Sequence, residues 1–596
     1  MLPVMNIRSI CSNLLLVFTL SVFFSCQKDL SLEDSGIIVT PPDLSTKVSS
    51  SVSGFVTDEN DAPVKSATVQ FGSTTTTTDK YGYFEAKNVQ VVKEAAVVTV
   101  IKPGYFKGIK TYMAKEGKAA FFRIKLIPKN IIGTINATSG GVIAQPNGFS
   151  IKLTAGSVVN ASSNIPYTGT VTVSAYWINP AATDFVNIVP GDQRGINTEG
   201  YLKLLQTFGM AAVELTGSSG ELLQIVNGQK ATLSIPIPAS ISGNAPASIP
   251  LWYFDEAKGL WKQEGSATKS GNMYVGDVSH FSFWDWSTPA SYVNFDCTIK
   301  DAAGNPVPYV WVRISIGNSP NIYNHRYGLT DANGYVSGPV PDNAQLLLEV
   351  FSTSPIICTP AYTQNFTTTN TNISLGNLTI TPNASWATIT GTITDCNNNP
   401  VTNGYVVGKI NNIFCGRYYV NNANQFTIYY PFCNITSMVI DLIAVDVNTQ
   451  QESSFNTFTI TGGTNNIGNI TACGNTSQEF FNYSVNSINY SITDTVGEYP
   501  VGNSIYLYAR AINYTNIADV SFSSQNIGAN SVQSLAYFTC TQIPEQTTIV
   551  NPITVNITEY GSVGQFVSGN FSGTVTGIAA PNNPYVITCN FRIRRQ

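Results

Sequence analysis

The sequence predicts an all-β chain, a tandem array of antiparallel β-sandwich domains. Three observations carry that expectation. Short runs of alternating apolar and polar residues are separated by Gly, Pro, Asn and Asp turns along most of the chain. Charged residues make up only 11% of the 596, against 43% hydrophobic ones, which gives enough apolar surface for several packed cores and favours strands. A set of turn residues also recurs three times at one spacing.

The chain opens with Arg8 ahead of an apolar run at residues 14–24. The run is too short for a bilayer core that needs roughly 20 residues, and it reads as a signal peptide. It ends in Ser25-Cys26-Gln27-Lys28-Asp29. A small residue followed by Cys resembles the lipobox of bacterial lipoproteins, with Phe23 where Leu is usual. That resemblance implies a lipoprotein signal over residues 1–26, cut before Cys26, which becomes the lipidated N-terminus. The Lys28-Asp29 pair resembles the export signal of Bacteroidetes-type surface lipoproteins, implying an outer-membrane, lipid-anchored, surface-exposed location. An ordinary secretory peptide with a Cys at that place is the alternative. Residues 27–49, polar and containing Pro41-Pro42, read as a flexible tether.

Folding is expected to start near Ser50. Val52-Ser53-Gly54-Phe55-Val56-Thr57-Asp58 alternates as a strand, and a turn through Pro63 leads to a second strand over residues 64–71. Asp79-Lys80-Tyr81-Gly82 supplies a tight turn, with Gly82 suited to positive φ. This order resembles the carboxypeptidase regulatory-like domain, a seven-stranded β-sandwich of Ig-like or prealbumin-like type, over residues 50–129. A second copy runs from Cys297-Thr298-Ile299-Lys300-Asp301 through Pro306-Val307 to Thr330-Asp331-Ala332-Asn333-Gly334-Tyr335, within residues 291–381. A third, over residues 382–474, runs from Gly391-Thr392-Ile393-Thr394-Asp395 through Pro400-Val401 to Asn421-Asn422-Ala423-Asn424. Asn424 stands where the other copies have Gly, and Asn is the next-best residue for a left-handed backbone.

Between the first two copies lies a longer β-rich unit, residues 130–290. Gly209-Met210-Ala211-Ala212-Val213, Ile249-Pro250-Leu251-Trp252-Tyr253-Phe254-Asp255, Gly259-Leu260-Trp261 and His280-Phe281-Ser282-Phe283-Trp284 resemble a region of cartilage intermediate layer protein and related surface proteins. The resemblance implies scaffolding or matrix contact. Residues 475–596 read as a further sandwich, with Arg592, Arg594 and Arg595 at a solvated strand end.

Apart from Cys11 and Cys26, eight cysteines follow residue 296, in even numbers per unit: Cys297 and Cys358; Cys396, Cys415, Cys433 and Cys473; Cys540 and Cys589. Even counts suit disulfides in an oxidising compartment, and the group of four leaves three connectivities open. A zinc site is disfavoured, because no C-x-x-C pair or His accompanies them.

Catalytic constellations are sparse. The chain has two histidines, His280 in an aromatic strand and His325 in an expected loop, with no G-x-S-x-G, H-E-x-x-H or phosphate-loop pattern. Asp255 and Glu256 are adjacent and so point to opposite faces of a strand, which suits a turn rather than an acid pair. No Lys follows Lys409 and no basic patch stands out, so nucleic acid is not an expected partner. No metal or cofactor is expected. Trp252, Trp261, Trp284 and Trp286 fit core packing, with Trp252 and Trp261 also candidates for ligand contact. The pairs Tyr418-Tyr419 and Tyr429-Tyr430 should each place one ring outward on a strand, which makes them the better exposed candidates for ligand contact. The expectation is a non-catalytic surface lipoprotein, structural or adhesive, contacting the membrane through lipid and an extracellular protein or polysaccharide. The alternative is a surface glycan-binding protein, since the regulatory-like sandwich resembles the starch-binding type of fold.

Overall fold

A computed structural model describes residues 41–596, except 317–324, 352–359, 361, 381–385, 432–436, 450, 477–478, 493–494, 512–515, 561–565 and 596. Cys26 and the Lys28-Asp29 pair, with Cys358 and Cys433, lie outside the described residues. The chain is all-β. Among the described residues the helices are the single turns Phe185–Ile188 and Ser242–Asn244, so none is long and apolar enough to cross a membrane.

The first unit pairs a sheet of Tyr83–Val92, Lys47–Thr57 and Ala119–Lys125 with one of Thr74–Thr77, Thr68–Phe71, Ala96–Ile101 and Gly108–Tyr112. Its first and last strands run parallel and the other pairs antiparallel. The same order returns from Tyr292–Lys300 to Ile373–Thr379, again with a parallel first-to-last pair. It returns once more from Trp386–Thr394 to Gly463–Thr471, where the second sheet gains two short strands.

The recurring residues explain this sameness. Asp58, Asp301 and Asp395 each accept two backbone N–H groups through Oδ1, two and four residues on, at 2.8–2.9 Å. The residue before each Asp then bridges the Pro that follows: Thr57 with Pro63, Lys300 with Pro306, Thr394 with Pro400. In the later turn Asp79, Asp331 and Asn421 cap the chain in the same way. Gly82 and Gly334 have φ of 73°, and a Cβ on either would stand 2.4 or 2.3 Å from a carbonyl oxygen, of Val56 or Ile299. Asn424 reaches φ 55° and donates its amide to the corresponding carbonyl of Ile393 at 3.0 Å. The amide thus adds a second donor to a carbonyl that already accepts the N–H of Val401, where the glycines add none.

Residues 131–290 form one thirteen-stranded sheet system, apolar on both faces. Phe480–Val485 to Pro584–Arg594 form a ten-stranded system around a separate core. From Pro42 onward the chain is a single compact unit, and several of its cores draw residues from more than one sandwich.

Candidate functional site at the junction of the units

Three of the sandwiches converge on one core. Phe55, Tyr81, Tyr83 and Phe121 of the first unit, Tyr309 and Trp311 of the third, and Tyr405 and Tyr418 of the fourth are all buried in it. Phe121 and Tyr309 stand 4.5 Å apart, and Tyr309 and Tyr418 5.4 Å. Tyr309 takes φ 60°, a left-handed conformation costing roughly 1–2 kcal/mol. That cost is offset by the ring's packing and by its hydroxyl, which donates to Arg417 O at 2.9 Å. Gly416 makes room, since a Cβ there would lie 2.4 Å from the Tyr309 ring.

Cations close the seams. The Arg417 guanidinium lies 3.7 Å from the Tyr83 ring centre and 4.5 Å from that of Tyr405, and it bonds the second carboxylate oxygen of Asp79. Arg123 donates to the carbonyls of Phe414 and Cys415 at 2.8 and 3.0 Å. Lys80 pairs with Glu452, which also accepts from Tyr81 Oη at 2.9 Å. In the same manner Asp301 Oδ2 accepts the hydroxyl of Tyr429 at 2.5 Å. Two of the capping acids, Asp79 and Asp301, therefore have a second role: one oxygen holds the turn, the other holds a neighbouring unit.

A cavity of about 210 Å³ lies where the first three units meet, lined among others by Lys110, Arg123, Asp192, Thr207, His325 and Arg326. Lys110, 4% exposed, donates to the carbonyls of Val186 and Val189 at 2.8 and 2.7 Å, and desolvation lowers its ammonium to about 7. Arg326 donates to Gln193 Oε1 and Leu205 O; burial brings its guanidinium down to about 10. Asp285, fully buried near Arg326, accepts hydroxyls from Thr207 and Ser287 at 2.5 Å each. Desolvation outweighs those bonds and raises its carboxyl to about 7. The cations here direct donors at backbone carbonyls of another part of the chain, so they join the units that line the cavity. His325 faces Tyr327 Oη at 3.1 Å and begins the strand His325–Leu329 rather than a loop. His280 packs edge-on to Tyr253 at 4.7 Å, and burial lowers its imidazole. Among the described residues no three His, Cys, Asp or Glu side chains are placed to hold a metal.

The structure corrects most of the aromatic candidates. Trp252 and Trp261 are fully buried, because Phe106, Ile109 and Ile127 of the first unit cover their side of the sheet. Their indole N–H groups donate to Ser287 O and Pro190 O. Tyr418 and Tyr430 are buried in the shared core. Tyr429 is buried as well, because the third unit covers the face that alternation turns outward. Only Tyr419 of the set is exposed, at 42%. Arg592 is likewise buried, paired with Glu559 at 2.9 Å, and Arg595 lies 3.9 Å from the Tyr560 ring, so this strand end is packed rather than solvated.

Cys396 and Cys473 form a disulfide. Cys297, Cys415, Cys540 and Cys589 are thiols, a departure from even pairing within units. Cys589 sits mid-strand opposite Tyr483 and Phe571, whereas Cys540 ends its strand opposite Ala518. Burial pushes the Cys415 thiol up to about 11, and it donates to Gly408 O.

Sequence reasoning missed Arg417, although a signal was present: it is the one charged residue between Lys409 and Asp441, on an aromatic strand. Lys110 and Asp285 carried none, since their burial comes from distant strands.

No family model matches the chain. Cartilage intermediate layer protein 2 of Mus musculus is 32% identical over 112 residues, 18% of this chain and 9% of that protein. The Homo sapiens protein is 28% identical over 110 residues, with the same coverage. The chain thus spans 9% of the length of these relatives. Similar solved structures include the shaft pilin of Lactobacillus rhamnosus GG (TM-score 0.16, 9% identity, 31% of this chain and 99% of that one). Others are the TIE protein of Bacillus anthracis (0.15, 9%, 78% and 69%) and a DUF3823 family protein from Bacteroides ovatus (0.12, 11%, 35% and 100%).

Proposed function

We propose that this protein is a non-catalytic surface lipoprotein whose sandwiches form one rigid scaffold, anchored through Cys26 at the outer membrane. The observation that supports the scaffold is the core shared by three units, with Asp79 and Arg417 at its seam. A chain of independent sandwiches on linkers has no use for buried cations between its members, whereas a scaffold that must hold its shape does. The lipobox-like Ser25-Cys26 and the Lys28-Asp29 that follows support the anchor. Acyl chains on one Cys give firm attachment where a single chain would not.

Two measurements test the reading. Calorimetry of the full chain should show the first, third and fourth units melting in one transition; separate transitions would overturn the scaffold. Fractionation of cells carrying Cys26→Ala should release the protein from the membrane, and unchanged retention would remove the anchor.

A further inference from the structure

The outer face of the last unit carries a row of tyrosines that packing does not explain. Thr495–Val501, Ser504–Arg510, Ile517–Ser523 and Ser531–Cys540 are consecutive antiparallel neighbours. Ile505, Leu507, Ala509, Val520 and Phe522 point into the core, which leaves the alternate residues facing outward. Register sets Tyr499 beside Tyr506, Tyr506 beside Ser521, and Ser521 beside Tyr537. With strands about 4.8 Å apart, the row from Tyr499 to Tyr537 spans about 14 Å.

Tyr499 and Tyr537 are 41% and 43% exposed. The Tyr499 ring stands 4.9 Å from Tyr506 and 6.0 Å from Tyr508. Opposite Tyr508 is Gly497, where a Cβ would meet the Tyr508 ring at 2.3 Å; the glycine lets that ring lie across the backbone. Arg510 and Asp519 form an ion pair at 2.6 Å beside these rings, and Asp519 also bonds the Tyr506 hydroxyl.

The face thus combines ring surfaces, hydroxyls and one self-neutralised ion pair. A nucleic acid or acidic polymer would want excess positive charge, which is lacking here. A pyranose offers the complement: an apolar C–H face for a ring, and equatorial hydroxyls for Asp, Arg and phenol partners. We propose that this tyrosine row binds a neutral polysaccharide chain laid across the four strands. The site is independent of the scaffold reading.

The test is affinity electrophoresis of the full-length protein, solubilised in detergent, through gels containing starch, laminarin, xylan or mannan. At least one polymer should retard the protein. Tyr499→Ala with Tyr537→Ala should weaken that retardation about ten-fold, and Gly497→Ala should weaken it by displacing Tyr508. Tyr419→Ala, an exposed ring elsewhere, should leave it unchanged. Unaltered melting temperatures would show that the exposed-ring variants fold. Migration unaffected by all four polymers, or retardation that survives the double substitution, would overturn the proposal while leaving the scaffold reading standing.

Discussion

Asp79 and Arg417, separated by 338 positions, meet so that the carboxylate serves two parts of the molecule at once. Its Oδ1 holds the N–H groups of Tyr81 and Tyr83 at 2.9 Å, while Oδ2 takes the guanidinium. Both side chains are largely withdrawn from water, at 22% and 14% exposure, so screening by solvent is limited.

Arg417→Ala is expected to destabilise the chain by about 3 kcal/mol, since it strands a largely buried carboxylate and vacates space between Tyr83 and Tyr405. Asp79→Asn should keep the turn, as Asn421 does in the third copy, and lose only the charge. A double-mutant cycle by chemical denaturation measures the coupling; none would mean the pair is incidental.

The later turns predict a graded response. Gly334→Ala should cost about 2 kcal/mol, from left-handed strain and the approach to Ile299 O. Gly334→Asn should cost less, because the amide can donate to that carbonyl, as Asn424 does to Ile393. Urea titration of both variants decides the order.

Removing the Cys396–Cys473 bond frees a loop of 77 residues. Cys396→Ser with Cys473→Ser should lower stability by about 4 kcal/mol in the chain-entropy account. A midpoint that is the same with and without reductant would contradict this.

Asp285 gives a pH signature. Its folded carboxyl titrates near 7 and its unfolded one near 3.8, so between those values the native state holds a proton the unfolded chain has released. Its contribution to stability is full below about pH 4 and lost as pH rises through about 7. Asp285→Asn should flatten that decline in denaturation curves taken between pH 4 and 7.

The alternation, the repeated Asp, Pro and Gly positions and the substitution of Asn424 for Gly made the strands and turns of the sandwiches readable in advance, because such features act over a few residues. The same local logic failed for Tyr429 and for Trp252 and Trp261. Alternation states which way a side chain points, but not whether another unit lies there.

What the sequence by itself determined is therefore the β class, the repeated turn geometry and the scarcity of catalytic groups. Tertiary structure alone decided which rings are hidden, which cysteines pair, and that Asp79 and Asp301 join units as well as cap turns. The physical reason is range: backbone conformation follows from neighbours in the chain, whereas burial, desolvation and ion pairing depend on segments hundreds of residues away.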